Sequence, residues 1–297
     1  LQYEFQSLLV TAEKPKLGLW VTVAAGVTNM ALDALFIAVF DWGVAGAAIA
    51  TGLSQCVGGV LPLIYFLRPN DSLLRMRPTA LRLRPILQAC GNGSSELMSN
   101  ISSSLVGMLY NFQLMRLIGE DGVSAYGVLM YVQFIFVAIF IGYSIGSAPV
   151  VSFHFGAQNH DELKNLLRKS VLLMSSGGVL LTVAARLLAA LLAHLFVGYD
   201  AVLFDLTTHA FRLFSWSFLL AGFNIFTSGF FTALNNGAIS AAISFLRTLV
   251  FQTASVLILP LLLGVDGIWW AITVAEIFAF LISLLFLFLK RNKYHYL

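Results

Sequence analysis

The chain is poor in charge, in cysteine and in every motif that holds a nucleotide or a metal. Charged residues make up 10% of its 297 positions, where a soluble domain carries about 25%. With 59% hydrophobic residues, no water-bounded core of this size could cover the apolar surface, so lipid is the expected solvent. Cys56 and Cys90 are the two cysteines, and neither stands at ligand spacing to a histidine or to the other, which excludes a thiolate metal site. No GxxxxGKS/T loop occurs, so an ATP-driven pump is excluded. The absence of HExxH, of a His/Cys cluster and of paired acid–base groups at one depth speaks against an enzyme. The net charge of +3 sits in short loops and reads as topology, not as nucleic-acid affinity. The chain opens Leu1-Gln2-Tyr3-Glu4-Phe5, without the basic n-region of a signal peptide.

What the sequence does have is long apolar runs. Spans are expected over 17–40, 43–67, within Pro85–Ile118, and over 123–153, 170–196, 209–232, 238–263 and 267–288. That is an all-α polytopic membrane protein with eight full spans. Gly142, Gly146 and Pro149 predict a kink or an early end in the 123–153 span. Between 68 and 84 lie Arg68, Arg75, Arg77, Arg82 and Arg84 against Asp71, with Pro69 and Pro78, which reads as a basic linker between two bundles. This divides the chain into 1–67, a linker 68–84 and a six-helix bundle 85–297. If every run crosses, that linker, Lys164–Lys169 and Lys290–Lys293 share one side. Asp41, Glu120-Asp121, Asp200 and Asp266 share the other. The positive-inside rule makes the first side, and the C-terminus, cytoplasmic.

Polar groups at membrane depth are the candidate functional residues. Glu96 sits in an otherwise apolar helix, with Ser99, Ser103, Gly107 and Tyr110 following at spacings of three and four, expected on one face. A lipid-facing glutamate is costly, so this face is expected to look at a cavity or a helix, as a transport site would. A buried carboxyl there can gain or lose a proton near neutral pH, so a proton and a cationic substrate would compete for it. Asn92, Gln133, Tyr143 and Asn224 are further cavity candidates, suited as a set to flat cations; interhelical glue is the bland reading for each. Asn29 and Asp33, one turn apart, read as a hydrogen-bonded structural or secondary coupling pair. Glu276 is expected to neutralise Arg186 or Arg247, while Arg212 and Arg247 are expected to snorkel.

An offset of 221 residues brings two regions into register without a gap. Phe5, Ser7, Thr11 and Ala12 match Phe226, Ser228, Thr232 and Ala233; Gly43-Val44, Gly46 and Ala50 match Gly264-Val265, Gly267 and Ala271. A constant offset over more than sixty residues implies parallel six-helix repeats. On that reading residues 1–67 are the end of a fourth helix with the fifth and sixth, and the chain lacks the segment before them. As it stands it is expected to be unable to transport.

Thr28–Ile37 (TNMALDALFI) and Gly43–Thr51 (GVAGAAIAT) resemble the fifth and sixth helices of the MATE family, the multidrug and toxin extrusion antiporters. Gly142–Gln158 (GYSIGSAPVVSFHFGAQ) resembles the end of its eighth helix, and the likeness runs along essentially the whole chain within the bacterial branch. The resemblance implies a pair of six-helix bundles rocking between outward- and inward-open states in the bacterial plasma (inner) membrane. It implies export of cationic or amphipathic small molecules, coupled to Na⁺ or H⁺ with no bound cofactor, by a full-length monomer. Glu96 matches the family's seventh-helix acid, implicated in coupling. The tenth-helix aspartate of some members has no counterpart here, since Arg212 and Asn224 occupy that region. A lipid-linked precursor flippase of the same superfold is the alternative, and it needs arginines facing a central cavity.

Overall fold

The computed structural model describes residues 2–69, 72, 74 and 82–296, with the backbone alone at 2, 3 and 95. Arg75 and Arg77 of the expected linker lie outside the described residues. The chain divides into two compact units, Leu1–Arg82 and Leu83–Leu297, each taken by itself here.

The first unit holds α1 (Gln2–Thr11), α2 (Pro15–Asp33) and α3 (Gly43–Leu67). Pro15 opens α2, where its missing N–H costs nothing. At its far end α2 widens into a π-turn, Ala34–Val39. Phe5, Leu9, Ala12 and Phe66 form the small core under these helices.

The second unit runs α4 (Leu83–Asn92), α5 (Ser94–Leu117), α6 (Glu120–Gly156), α7 (His160–Val197) and α8 (Ala201–Phe214). It continues through a 3-10 turn, Ser215–Ser217, into α9 (Phe218–Ala233) and α10 (Gly237–Phe245). A second π-turn, Leu246–Phe251, leads to α11 (Gln252–Leu263) and α12 (Val265–Tyr294). Side chains close the free N–H groups where helices start. Asp200 accepts from Val202 and Leu203 at 2.9 and 3.1 Å, and Asn236 accepts from Ile239 at 3.3 Å while donating to the Tyr294 hydroxyl at 2.7 Å. Two cores fill this unit, one around Leu129, Phe211 and Trp269, the other around Phe140, Phe226 and Tyr296. Burial raises the Tyr296 phenol above the usual tyrosine range, and its hydroxyl donates to the Leu287 carbonyl at 3.0 Å.

Eight spans were expected; among the described residues seven helices are long and apolar enough to cross a membrane, and α5 is not among the seven. It has the length, but its serines, asparagines and Glu96 lower its hydropathy. The Pro85–Ile118 segment is two helices rather than one: α4 ends at Asn92 and Gly93 joins it to α5. Glu96 therefore lies in the first turn of its helix. Of the kink or early end expected in the 123–153 span, the early end does not occur: α6 runs to Gly156 with Pro149 inside it.

The 221-residue offset reappears in three dimensions. Gly43 and Gly264 both enter a helix at positive φ, +55° and +61°, a conformation an L side chain resists. Thr11 donates to the Ser7 carbonyl at 3.0 Å and Thr232 to the Ser228 carbonyl at 3.2 Å. Ala50 and Ala271 are both fully buried.

Candidate functional site

Glu276 is almost completely buried midway along α12, and three groups neutralise and saturate it. Arg247 Nη2 donates to its Oε1 at 2.6 Å, while Arg247 Nε lies 2.9 and 3.1 Å from the two oxygens. Asn224 Nδ2 donates to Oε2 at 2.7 Å and to the Glu276 backbone carbonyl at 3.0 Å. Arg247 is the second residue of the π-turn, where the widened helix departs from regular α spacing. So Glu276 pairs with Arg247 and not with Arg186, and Arg247 points inward instead of snorkelling. An ionised carboxylate in a low-dielectric bundle needs this much compensation. Asn224, a cavity candidate in the sequence, is fully buried with its amide committed to this cluster.

Glu96 stands in contrast. It is exposed on the first turn of α5, and among the described residues its carboxylate has no ion-pair or hydrogen-bond partner. Its backbone carbonyl accepts from Asn100 Nδ2 at 2.8 Å. The buried ridge of α5 is Ser102, Val106, Tyr110 and Leu114, each four residues from the last. At 3.6 residues per turn such a ridge drifts about 40° per step. The face expected to run from Glu96 to Tyr110 is therefore split: Glu96 and Ser103 are exposed, Ser99 and Gly107 half-buried, and Tyr110 lies in the core. There its ring stacks on Tyr126 at 4.8 Å, and its hydroxyl has no hydrogen-bond partner.

The other candidates spread through both units. Asn92 holds the α4–α5 joint against the α9–α10 turn, donating to the Thr232 carbonyl at 3.1 Å, with its own carbonyl oxygen buried and unpartnered. A Cβ on Gly237 would stand 2.5 Å from the Asn92 Cα, so the joint requires glycine. The Tyr143 and Ser170 hydroxyls are 2.9 Å apart, linking α6 to α7, and Gln133 is half-buried on α6. In the first unit Asn29 and Asp33 do not bond to each other. Asn29 Nδ2 and Asp33 Oδ1 are both buried without a partner, one turn apart and just before the π-turn.

Sequence reasoning missed the hydroxyl cluster between α9 and α10. Ser228 Oγ lies 2.9 Å from both Ser240 and Ser244, and Thr232 donates to Ser240 at 2.7 Å. The four-residue spacing of Ser228–Thr232 and Ser240–Ser244 was the available signal. Among the described residues no group of three or more His, Cys, Asp or Glu side chains is placed to hold a metal ion.

Comparison with known proteins places these residues in a wider frame. Residues 97–257 match the family model MatE. The chain is 25% identical over 278 residues to the multidrug export protein MepA of Staphylococcus saprophyticus, covering 91% of this chain and 59% of that protein. It is 23% identical over 272 residues to MepA of Staphylococcus aureus, covering 89% and 58%. It thus spans about three fifths of the curated relatives it matches. An outward-facing multidrug resistance MATE family transporter of the MOP superfamily superposes with a TM-score of 0.88 at 22% identity, over 95% of this chain and 64% of that one. The Vibrio cholerae MATE transporter VcmN, solved as a mutant, gives 0.88 at 19% identity, over 98% and 66%. At these identities the solved structures speak for the fold.

Proposed function

Because the chain belongs to the MatE family, we propose that the protein works as a secondary active antiporter, exporting cationic or amphipathic small molecules against an inward flow of Na⁺ or H⁺. Glu96 is the coupling acid of the second unit in this reading. The observation that carries it is the contrast between two acids of one bundle. Glu276 has its charge and lone pairs taken by Arg247 and Asn224, whereas Glu96 is exposed and unpartnered among the described residues. An uncommitted carboxylate is the one that can exchange a proton for a cation. Asp33, with one oxygen buried and unpartnered beside the equally orphaned Asn29 amide, is the secondary coupling acid. Ser99, Ser103 and Gln133 are left as the uncommitted polar side chains of the substrate path.

In the proposed topology α5 crosses as the eighth span and the C-terminus is cytoplasmic. The basic groups support that orientation: the His160 and His295 rings are 5.0 Å apart, so Lys164–Lys169 and Lys290–Lys293 lie at one end of the bundle. The full-length protein acts as a monomer in the bacterial inner membrane.

The test is efflux of a fluorescent cation from proteoliposomes of the complete gene product, under a pH gradient and separately under a Na⁺ gradient. Glu96→Gln is expected to lose gradient-driven efflux while retaining its fold, and Asp33→Asn to weaken it. Efflux by Glu96→Gln at the parental rate would sink this assignment.

A further inference from the structure

Two arginines on the hairpin of α7 and α8 have no ion-pair partner among the described residues. Arg186 lies eleven residues before Val197, the end of α7, and Arg212 eleven residues after Ala201, the start of α8, so they stand level on neighbouring antiparallel helices. Arg186 Nη1 donates to the Arg212 backbone carbonyl at 3.2 Å, where Ser215 also donates at 3.0 Å as the helix tightens into its 3-10 turn. The Arg186 guanidinium lies over the Trp216 ring, 4.6 Å from its centroid. Both arginines are exposed, and among the described residues neither forms an ion pair; Asp205, the one acid within α8, forms none either. The face around Arg186 is apolar and open: Val179 and Val183, seven and three residues before it, are 51% and 48% exposed. Both helices belong to candidate membrane spans.

Such a face meets hydrocarbon, and two bare guanidinium ions there are costly enough to demand an anion. We infer that Arg186, Arg212 and Trp216 form a binding site for the phosphodiester of a membrane phospholipid, with an anionic headgroup preferred. Stacking on Trp216 fixes the Arg186 plane, and one of its five N–H donors is committed to the Arg212 carbonyl. The remaining donors, with the whole Arg212 fork, match phosphate oxygens in paired hydrogen bonds. The exposed Val179 and Val183 beside Arg186 suit the acyl chains. A charge of +2 against one phosphodiester favours phosphatidylglycerol over zwitterionic lipid. Eleven residues amount to about 16 Å of helix rise, so the headgroup is drawn down beside the hairpin and the leaflet thins locally, a small cost next to two unpaired cations. This site is independent of the coupling acids.

The experiment is native mass spectrometry of the purified protein released from nanodiscs of phosphatidylglycerol and phosphatidylcholine, alongside thermal unfolding in detergent with added lipid. The parent is expected to keep one phosphatidylglycerol molecule, and the R186Q/R212Q variant to retain it at least fivefold less. Phosphatidylglycerol is expected to raise the parent's Tm by several degrees, with diacylglycerol and inorganic phosphate leaving it unchanged. Equal retention by parent and variant overturns the site, as does equal stabilisation by diacylglycerol or by free phosphate. Should R186Q/R212Q not fold, the headgroup comparison on the parent and retention by the charge-keeping R212K variant decide. R212K is expected to bind with reduced retention, and unchanged retention rules out fork recognition.

Discussion

Arg247 Nη2 lies 2.6 Å from Glu276 Oε1, with the glutamate side chain almost wholly buried and the arginine side chain 19% exposed. Removing one partner of such a pair strands a charge in the bundle, whereas removing both leaves an apolar contact. Arg247→Met is therefore expected to cost about 3–5 kcal/mol, and Arg247→Met/Glu276→Leu less than half of that. Thermal unfolding in detergent reads both. A double variant as unstable as the two single changes added together would show that the residues do not act as a pair.

Tyr110 packs its ring on Tyr126 but leaves its hydroxyl buried without a partner among the described residues. Tyr110→Phe removes an unsatisfied group and is expected to leave stability unchanged or raise it by up to about 1 kcal/mol. Tyr110→Ala empties a core position and should cost about 3–5 kcal/mol. If the phenylalanine variant instead unfolds several degrees earlier, the hydroxyl has a partner that stabilises the fold.

Gly237 and Asn92 meet backbone to backbone at the α4–α5 joint. A methyl group there would stand 2.5 Å from the Asn92 Cα and 2.6 Å from the Gly91 carbonyl oxygen. Gly237→Ala is expected to cost about 1–3 kcal/mol through overpacking. Gly127→Ala, where nothing lies within 4 Å, serves as the tolerated control in the same melting assay.

Asp200 caps α8 through two backbone N–H groups. Asp200→Ala should lower stability by about 1 kcal/mol and Asp200→Asn by less. Amide hydrogen exchange is expected to rise at Val202 and Leu203 first; unchanged exchange there would show that the cap contributes nothing.

Much of this molecule follows from sequence because lipid imposes a one-dimensional rule. A run of about twenty apolar residues must be a helix, since backbone groups have no other partner in hydrocarbon. The ranges 43–67 and 267–288 were legible for that reason; the 221-residue offset has a local counterpart in the positive φ of Gly43 and Gly264. The polar segment around Glu96 was harder to place. The helix breaks at Gly93, and break positions depend on what packs against them, here Gly237 on Asn92. That Glu276 needs a basic partner was evident from an acid in an apolar helix. That the partner is Arg247 and not Arg186 depended on the π-turn at Leu246–Phe251, which rotates a side chain that regular α spacing places elsewhere. The sequence by itself determined the solvent, most of the helices and the kinds of groups placed at membrane depth. Only the tertiary structure decided which of those groups neutralise one another, because pairing depends on helix rotation and contact across the bundle, and neither is written in the order of residues along a single helix.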